Sequence, residues 1–323
     1  MDFEDFILFD AFKKINKFYL NLSVFNTPVD IKDIEVCINC KILDIDKTII
    51  NANKQCSTAI YIYNCDDLES NLIYSVEYKN KKYRNTFEDV SSNKHYKLTL
   101  TTLFKDDYNY FPLFYNYYKN QGVEKFYMYY NGIPNKKIIN ILNKNDVALI
   151  NWDFPYRYKN TKIFKTEKKG KLPKWTTVAQ IGQIHNALYK YGKDNSEYMI
   201  FCDIDEYLYI ENDSIKSFIF KNNKDLYGFN NIWAKTIESH ENLNILPNNI
   251  LISNQKFKYG NRSKNIYKTS KVNTIGIHKM FEETKYLSKL TNLNLFHFYN
   301  WTNNPSRKNH IIECINPLKI QFY

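Results

Sequence analysis

The sequence predicts an α/β protein, with a mostly parallel sheet flanked by helices and a small β-rich domain ahead of it. Two observations carry that expectation. Between residues 34 and 78, short apolar segments alternate with turns rich in Asn, Asp and Lys, and helix signals are sparse. From residue 96 onward, strand-like and helix-like segments follow one another as β-α-β-α-β-α-β, an order that returns each strand parallel to the last through a helical crossover. With 323 residues the chain has room for two domains. The boundary is expected at Ser91-Ser-Asn-Lys94, which gives a β-rich domain over 1–95 and an α/β domain over 96–323.

The elements follow in chain order. Residues 1–20, with Phe6, Ile7, Leu8, Phe9 and Phe12, read as a short amphipathic helix. Segments 34–43, 59–63 and 72–78 read as strands. Segment 96–104 is rich in β-branched residues and opens the second domain as a strand. Segment 109–120 carries an aromatic stripe at helical spacing and stops at Gln121-Gly122. An aromatic strand over 126–130 ends in the turn pair Asn131-Gly132; a helix over 134–143 and a strand over 147–152 come next. Residues 159–172 are polar and basic, hence a loop. Residues 175–191 form a long helix with Val178, Ile181, Ile184 and Leu188 on one face, and the strand over 198–202 follows.

Composition narrows the class. Apolar residues make up 44% and charged residues 24%, the balance of a globular protein. The net charge of +11 comes from scattered Lys, and Asn, Ile and Tyr, which share AT-rich codons with Lys, are also abundant. No zinc-finger, RNP or helix-turn-helix pattern accompanies the charge, so nucleic acid is not the expected partner. Cys37-Ile-Asn-Cys40 lies in an alternating segment, where residues three apart face opposite sides; the six Cys are expected to be free thiols. The acidic start, Met1-Asp-Phe-Glu-Asp-Phe6, and the lack of an 18-residue apolar run lead to the expectation of a soluble, cytoplasmic protein without a transmembrane segment.

The chemistry concentrates in Tyr198-Met-Ile-Phe-Cys-Asp-Ile-Asp-Glu-Tyr-Leu-Tyr209, where an apolar strand delivers Asp203, Asp205 and Glu206 within four positions. Clustered carboxylates repel one another, and a hard divalent cation is the simplest stabiliser of such a group. On an extended backbone Asp203 and Asp205 point the same way and can share one ion. A strand running into a solvated acidic turn is the alternative. Ligands of parallel sheets bind at the carboxyl ends of strands; Lys105, Asp106, Asp107 and Asn131 sit at such ends too.

The order of these pieces resembles glycosyltransferase family 92 and its family 2-like relatives. The resemblance rests on residues 100–132 (strand, Lys105-Asp-Asp107 loop, aromatic helix, Gly122-Val123, strand ending Tyr130-Asn131), on Gln180-Ile-Gly-Gln183, on Cys202-Asp-Ile-Asp-Glu206, and on Ser263-Lys-Asn-Ile-Tyr-Lys268, Ile277-His278 and Phe296-His-Phe-Tyr299. Relatives carry Lys-Asn-Glu where this chain has Lys105-Asp106-Asp107, and many carry Asp at the place of Tyr130. The resemblance implies a GT-A-like fold and a hexosyltransferase that moves a sugar from a nucleotide-sugar, UDP-linked by expectation, to a glycan or glycoprotein acceptor with inversion.

Within that implied reaction, Mn²⁺ or Mg²⁺ on Asp203 and Asp205 would neutralise the departing diphosphate. A His from the C-terminal part completes such sites in relatives, with His297 the first candidate and His278 the second. Glu238 is the candidate general base, with Glu282 and Glu283 behind it, and Glu206 either orients an acceptor hydroxyl or holds a loop. Arg262, Lys264 and Lys268 are candidates for the diphosphate. Lys105, Asp106, Asp107, Asn131, Asp203 and Gln180 are candidates for the rest of the donor, with Trp175 beside Gln180. Two other readings compete. A haloacid dehalogenase-type phosphatase wants Thr two residues past the second Asp, where this chain has Tyr207. A non-catalytic carbohydrate- or partner-binding protein could retain the fold.

Overall fold

The computed structural model describes residues 6–24, 31–39, 41–52, 57–65, 73–158, 176–177, 179–237, 245–255, 257–278, 286–298, 301 and 314–319. The chain forms two compact units, one of Met1–Lys94 with Phe154–Tyr191 and one of His95–Asp153 with Gly192–Tyr323.

The first unit contains two larger sheets. One runs in the order Ile45–Ala52, Ser57–Asn64, Lys17–Val24, Phe6–Lys14, Glu88–Asp89; the other runs Lys41–Ile42, Ile34–Ile38, Ile73–Tyr78, Lys81–Thr86. Phe6, Leu8, Leu20, Leu22, Val36, Tyr74 and Val76 form one core between them. Lys79 and Asn80 both have positive φ, 46° and 63°, as a two-residue hairpin turn of this kind demands.

The start of the chain differs from expectation, because Phe6–Lys14 is a strand and not a helix. It is buried on both faces. Phe6 and Leu8 enter the shared core, while Phe9 meets Phe154 edge-on at 4.9 Å. A strand covered on both sides loses its polar alternation, so its apolar run looks the same as a helix segment.

The helix Ala179–Asn186 continues as a single π-turn over Ala187–Gly192. It packs against Lys17–Val24 and Ser57–Asn64, so it covers the N-terminal sheet and is no crossover of the larger one. All of its residues are buried, and its polar groups find partners inside the unit. Asn21 Nδ2 donates to Gly182 O at 3.1 Å, and Asn186 Nδ2 and Lys190 Nζ donate to Asp10 Oδ2 at 2.8 and 3.0 Å. A Cβ on Gly182 would stand 2.3 Å from Phe9 Cε2, which is why the position takes glycine.

Burial holds His185 neutral, with its pKa lowered from 6.5 to about 4, opposed by its bond to Ile181 O. The unfolded chain therefore takes up the proton first, and stability is complete above pH 6.5 and falls as the pH drops toward 4. About 2 kcal/mol is expected to disappear between pH 7.5 and pH 5 through this group. Urea titrations of the wild type and His185→Gln at both pH values check it: the variant should show a smaller acid loss, and equal losses would rule out the effect.

The second unit is α/β and is built on a large mixed sheet. Val147–Asn151, Lys125–Tyr130, Tyr96–Phe104 and Ser196–Phe201 run parallel in that order. Lys264–Lys268, Leu226–Thr236, Asn249–Ser253 and Cys314–Lys319 continue the sheet through antiparallel pairs. Lys289–His297 lies parallel to Leu226–Thr236 and antiparallel to Glu206–Tyr209. The expected mostly parallel order thus holds for the first four strands, and beyond them the parallel pair is that of Lys289–His297 with Leu226–Thr236. Parallel pairing needs crossovers, and beyond residue 202 Ile215–Asn222 is the one α-helix among the described residues.

The local signals of this unit hold well. The helix Phe111–Asn120 buries Phe111, Leu113, Phe114, Tyr117 and Tyr118 and ends before Gly122, whose φ is +90°. Asn135 Oδ1 accepts from Ile138 N and Ser214 Oγ from Ser217 N, capping Lys136–Leu142 and Ile215–Asn222. Among the described residues no helix is long and apolar enough to cross a membrane, and Cys37, Cys65 and Cys202 are free thiols.

Candidate active site

The strand Ser196–Phe201 ends, and the chain turns. Glu206 N donates to Asp203 O at 3.1 Å, so the acidic segment is a tight turn and not an extended strand. This alters the expected geometry. Asp203 and Asp205 each lie beside a different basic residue. Lys264 Nζ donates to Asp203 Oδ2 at 2.9 Å, whereas Asp205 Oδ2 lies 3.3 Å from His297 Nε2.

Strand register brings these partners in. Phe201 pairs with Asn265, which sets Lys264 beside the turn. Glu206 pairs with His297, and His297 also pairs with Trp233. The helix Phe111–Asn120 braces the turn from below, with Tyr118 OH donating to Glu206 O at 2.9 Å and accepting from Leu208 N at 3.1 Å. The aromatic stripe of that helix therefore supports the site as well as the core.

Glu206 lies at the centre. It is 1% exposed; Oε2 accepts from Asp203 N at 2.8 Å and lies 3.5 Å from Lys264 Nζ, and Oε1 lies 3.5 Å from His297 Nδ1. Its pKa is pushed up to about 7, first by burial and then by Asp203 and Asp205, against the pull of Lys264 and His297. In this structure Glu206 holds the turn closed and faces no solvent.

Lys264 differs from expectation. Its ammonium is buried between Asp203 and Glu206 and is not presented to a diphosphate. Burial alone would lower its pKa, but the two carboxylates outweigh that and keep it charged. Lys268 is four residues further along the same strand, opposite Tyr198 and away from the turn; its Nζ donates to Asn223 Oδ1 at 3.0 Å. Arg262 does stay at the site. It is exposed, and its guanidinium lies 5.2 Å from the centre of the Trp233 ring, whose own centre is 4.6 Å from that of His297.

His278 flanks the Lys264 side, with Nδ1 3.3 Å from Ser263 O. Its pKa falls to about 4, through burial and then the Lys264 charge, so it is neutral at neutral pH. Lys105 and Asp106 are exposed just past Tyr96–Phe104, on the sheet edge that carries Asp203. Asp107 starts the 3-10 turn Tyr108–Tyr110 without a side-chain cap bond. Asn131 Nδ2 donates to Trp152 O at 2.9 Å, which ties two strand ends together. Gln180 belongs to the first unit, where its Oε1 accepts from Tyr156 OH. Glu238, Trp175, Glu282, Glu283, Tyr299 and the 159–172 loop lie outside the described residues.

Sequence reasoning missed Asn231. It is fully buried within Leu226–Thr236, and its Oδ1 lies 3.2 Å from His297 Nδ1. A lone Asn in a strand carries no local signal; only the pairing of two strands, with Asn231 opposite Leu295, delivers it to the site.

An α/β sheet with titratable side chains gathered at one strand end is the frame of an enzyme that binds its ligand at that edge. The glycosyltransferase family 92 model matches residues 94–318, and the chain belongs to that family. It is a glycosyltransferase, an enzyme that takes a sugar from a donor to an acceptor. No curated protein matches the sequence. Among solved structures, the bifunctional IspDF from Campylobacter jejuni is similar with a TM-score of 0.29 and 10% identity, over 62% of this chain and 49% of that one. The chain thus spans about half of that protein's length.

Proposed function

We propose that the chain is a metal-dependent, GT-A-type glycosyltransferase that takes hexose from a UDP-linked donor to a glycan or protein-linked acceptor with inversion. One observation carries the metal dependence. His297 Nε2 is buried without a hydrogen-bond partner, and Asp205 Oδ2 stands 3.3 Å away. Two ligand atoms at right angles, each about 2.1–2.2 Å from an ion, are about 3 Å apart, so this pair fits Mn²⁺ or Mg²⁺. Among the described residues no three His, Cys, Asp or Glu side chains converge as a ready-made cage. That fits a hard cation held by few protein ligands and completed by substrate phosphates and water. The bound ion would supply charge for the departing diphosphate.

The chain's own residues then divide the work. Asp205 and His297 hold the ion. Asp203, pinned by Lys264 and 26% exposed at its side chain, faces the donor. Arg262 meets the diphosphate from the Trp233 ring. Lys105, Asp106 and Asp107 line the nucleoside side, and Asn131 keeps that edge in shape. Glu238 is the candidate base that takes the acceptor proton.

A second reading rests on Lys264, whose buried ammonium already neutralises two carboxylates; it implies transfer without metal. Thermal shifts with UDP- and GDP-sugars, with Mn²⁺ or EDTA, separate the two. Stabilisation by a UDP-sugar that EDTA abolishes is the expected result. EDTA-resistant stabilisation would support the second reading, and no response to any nucleotide with metal would remove the first.

A further inference from the structure

We infer that Trp233 is a positioning residue, whose ring holds the Arg262 guanidinium as a ready fork for the second phosphate of a nucleoside diphosphate; this rests on the nucleotide-donor reading above, with or without metal. The guanidinium lies 5.2 Å from the centre of the Trp233 ring. Arg262 is exposed, and among the described residues no carboxylate pairs with it. A guanidinium carries five N–H donors in one flat fork, which fits a phosphate two bonds at a time. Laid on an aromatic face, it is also held by the charge distribution of the ring.

The loop that carries Arg262 is built to hold it there. Its φ of +56° is a left-handed setting that a long side chain rarely adopts and that persists only where the surroundings fix it. Gly260 N donates to Ser263 Oγ at 2.9 Å and Asn261 N to Lys258 O at 3.0 Å. Tyr259 OH donates to Asn265 Oδ1 at 2.8 Å, and its ring lies against Gly228. Phe257 meets Trp233 edge-on at 5.9 Å, and Trp233 is only 7% exposed. The ring is thus a fixed floor, and an arginine already resting on it loses less freedom when a ligand arrives.

Strand order selects the phosphate. From Tyr96–Phe104, which Lys105 and Asp106 follow, the sheet continues through Ser196–Phe201 and Lys264–Lys268 to Leu226–Thr236, which carries Trp233. The antiparallel pairs Phe201 with Asn265 and Phe229 with Lys264 set Arg262 and Trp233 on the edge that holds Asp203. At about 4.8 Å per strand, Arg262 and its floor stand two to three strands, about 10–14 Å, from the Lys105 end. A donor whose nucleoside lies at Lys105 and Asp106 brings its first phosphate to the Asp203 turn and its second to Arg262.

The test is isothermal titration with UDP against UMP, and GDP against GMP, in Mn²⁺ and in EDTA. The wild type should prefer the diphosphate. Arg262→Gln should weaken diphosphate binding about 10–100-fold, the worth of a hydrogen-bonded charge, and leave the monophosphate nearly unchanged. Trp233→Leu should weaken diphosphate binding about 3–10-fold, and Trp233→Phe, which keeps an aromatic face, less than that. The double variant Trp233→Leu/Arg262→Gln should bind no more weakly than Arg262→Gln alone, because the ring acts through the arginine. A wild type without preference for the diphosphate, an equal loss of both ligands in Arg262→Gln, or additive losses in the double variant overturns the inference. Should Trp233→Leu not fold, proton NMR of the wild type decides: the Arg262 Nε proton, assigned through Arg262→Gln, should be moved upfield by the indole ring, and an unshifted signal overturns the inference. A wild type that binds no diphosphate in either medium removes the nucleotide-donor reading as well. Diphosphate binding that EDTA leaves intact removes the metal and not the role of Trp233.

Discussion

Lys264→Met should lower folding stability by about 3–5 kcal/mol, the usual cost of removing one partner from a buried ion pair. The side chain is almost fully buried, and its ammonium stands 2.9 Å from Asp203 Oδ2 and 3.5 Å from Glu206 Oε2. Methionine keeps the volume and drops the charge, so the loss reports electrostatics and not a cavity. The deficit should also depend on pH. Without the ammonium, Glu206 titrates above its present value of about 7, and the two carboxylates shed their charge as the pH falls. The deficit should therefore shrink toward acid pH and widen toward alkaline pH. Denaturant titrations across pH measure both effects. The double variant Lys264→Met/Glu206→Gln should recover part of the loss, because it removes one stranded charge. A deficit within about 1 kcal/mol that stays flat with pH would show that the pair is solvated after all.

Asp205→Asn should lower transfer by about 10²–10³-fold, by analogy with the loss of one stabilising contact to developing charge, while the protein stays folded. Asn has the same shape, and the Phe298 N bond to the Asp205 carbonyl, 3.0 Å, does not involve the side chain. The Mn²⁺-dependent part of any donor-induced thermal shift should vanish with the activity. Asp203→Asn is the comparison. Its carboxylate is already tied to Lys264, so it should disturb stability more and metal dependence less. Normal turnover in Asp205→Asn would end the role assigned to that carboxylate. A larger loss of metal response in Asp203→Asn would move the ion to the first acidic residue of the turn.

Where an element is shaped by neighbours in sequence, it was legible. Tyr96–Phe104 reads as a strand from its β-branched residues, Phe111–Asn120 as a helix from its aromatic spacing, and Gly122 as its stop. Phe6–Lys14 was not legible, since burial on both faces erases the periodicity that separates strand from helix. The helix Ala179–Asn186 is legible as a helix, but its expected place as a crossover of the large sheet is not where it packs, because a buried helix face does not say which sheet covers it. In the site, the acidic cluster after an apolar strand was visible, and so was His297. The pairing was not. Spacing says nothing of the neighbours that the turn at Ile204 and Asp205 gives them, Lys264 beside Asp203 and His297 beside Asp205.

The sequence by itself determined which chemistry the chain carries: carboxylates at the end of an apolar strand, a basic strand and an imidazole to accompany them, and the family to which they belong. Tertiary structure alone decided which group touches which. Side chains at 203, 231, 264 and 297 meet through strand register, and register is a property of two segments at once that neither one states. The same pairing turned Lys264 from a surface cation into a buried counter-ion, because a charge that leaves water must find its opposite within reach.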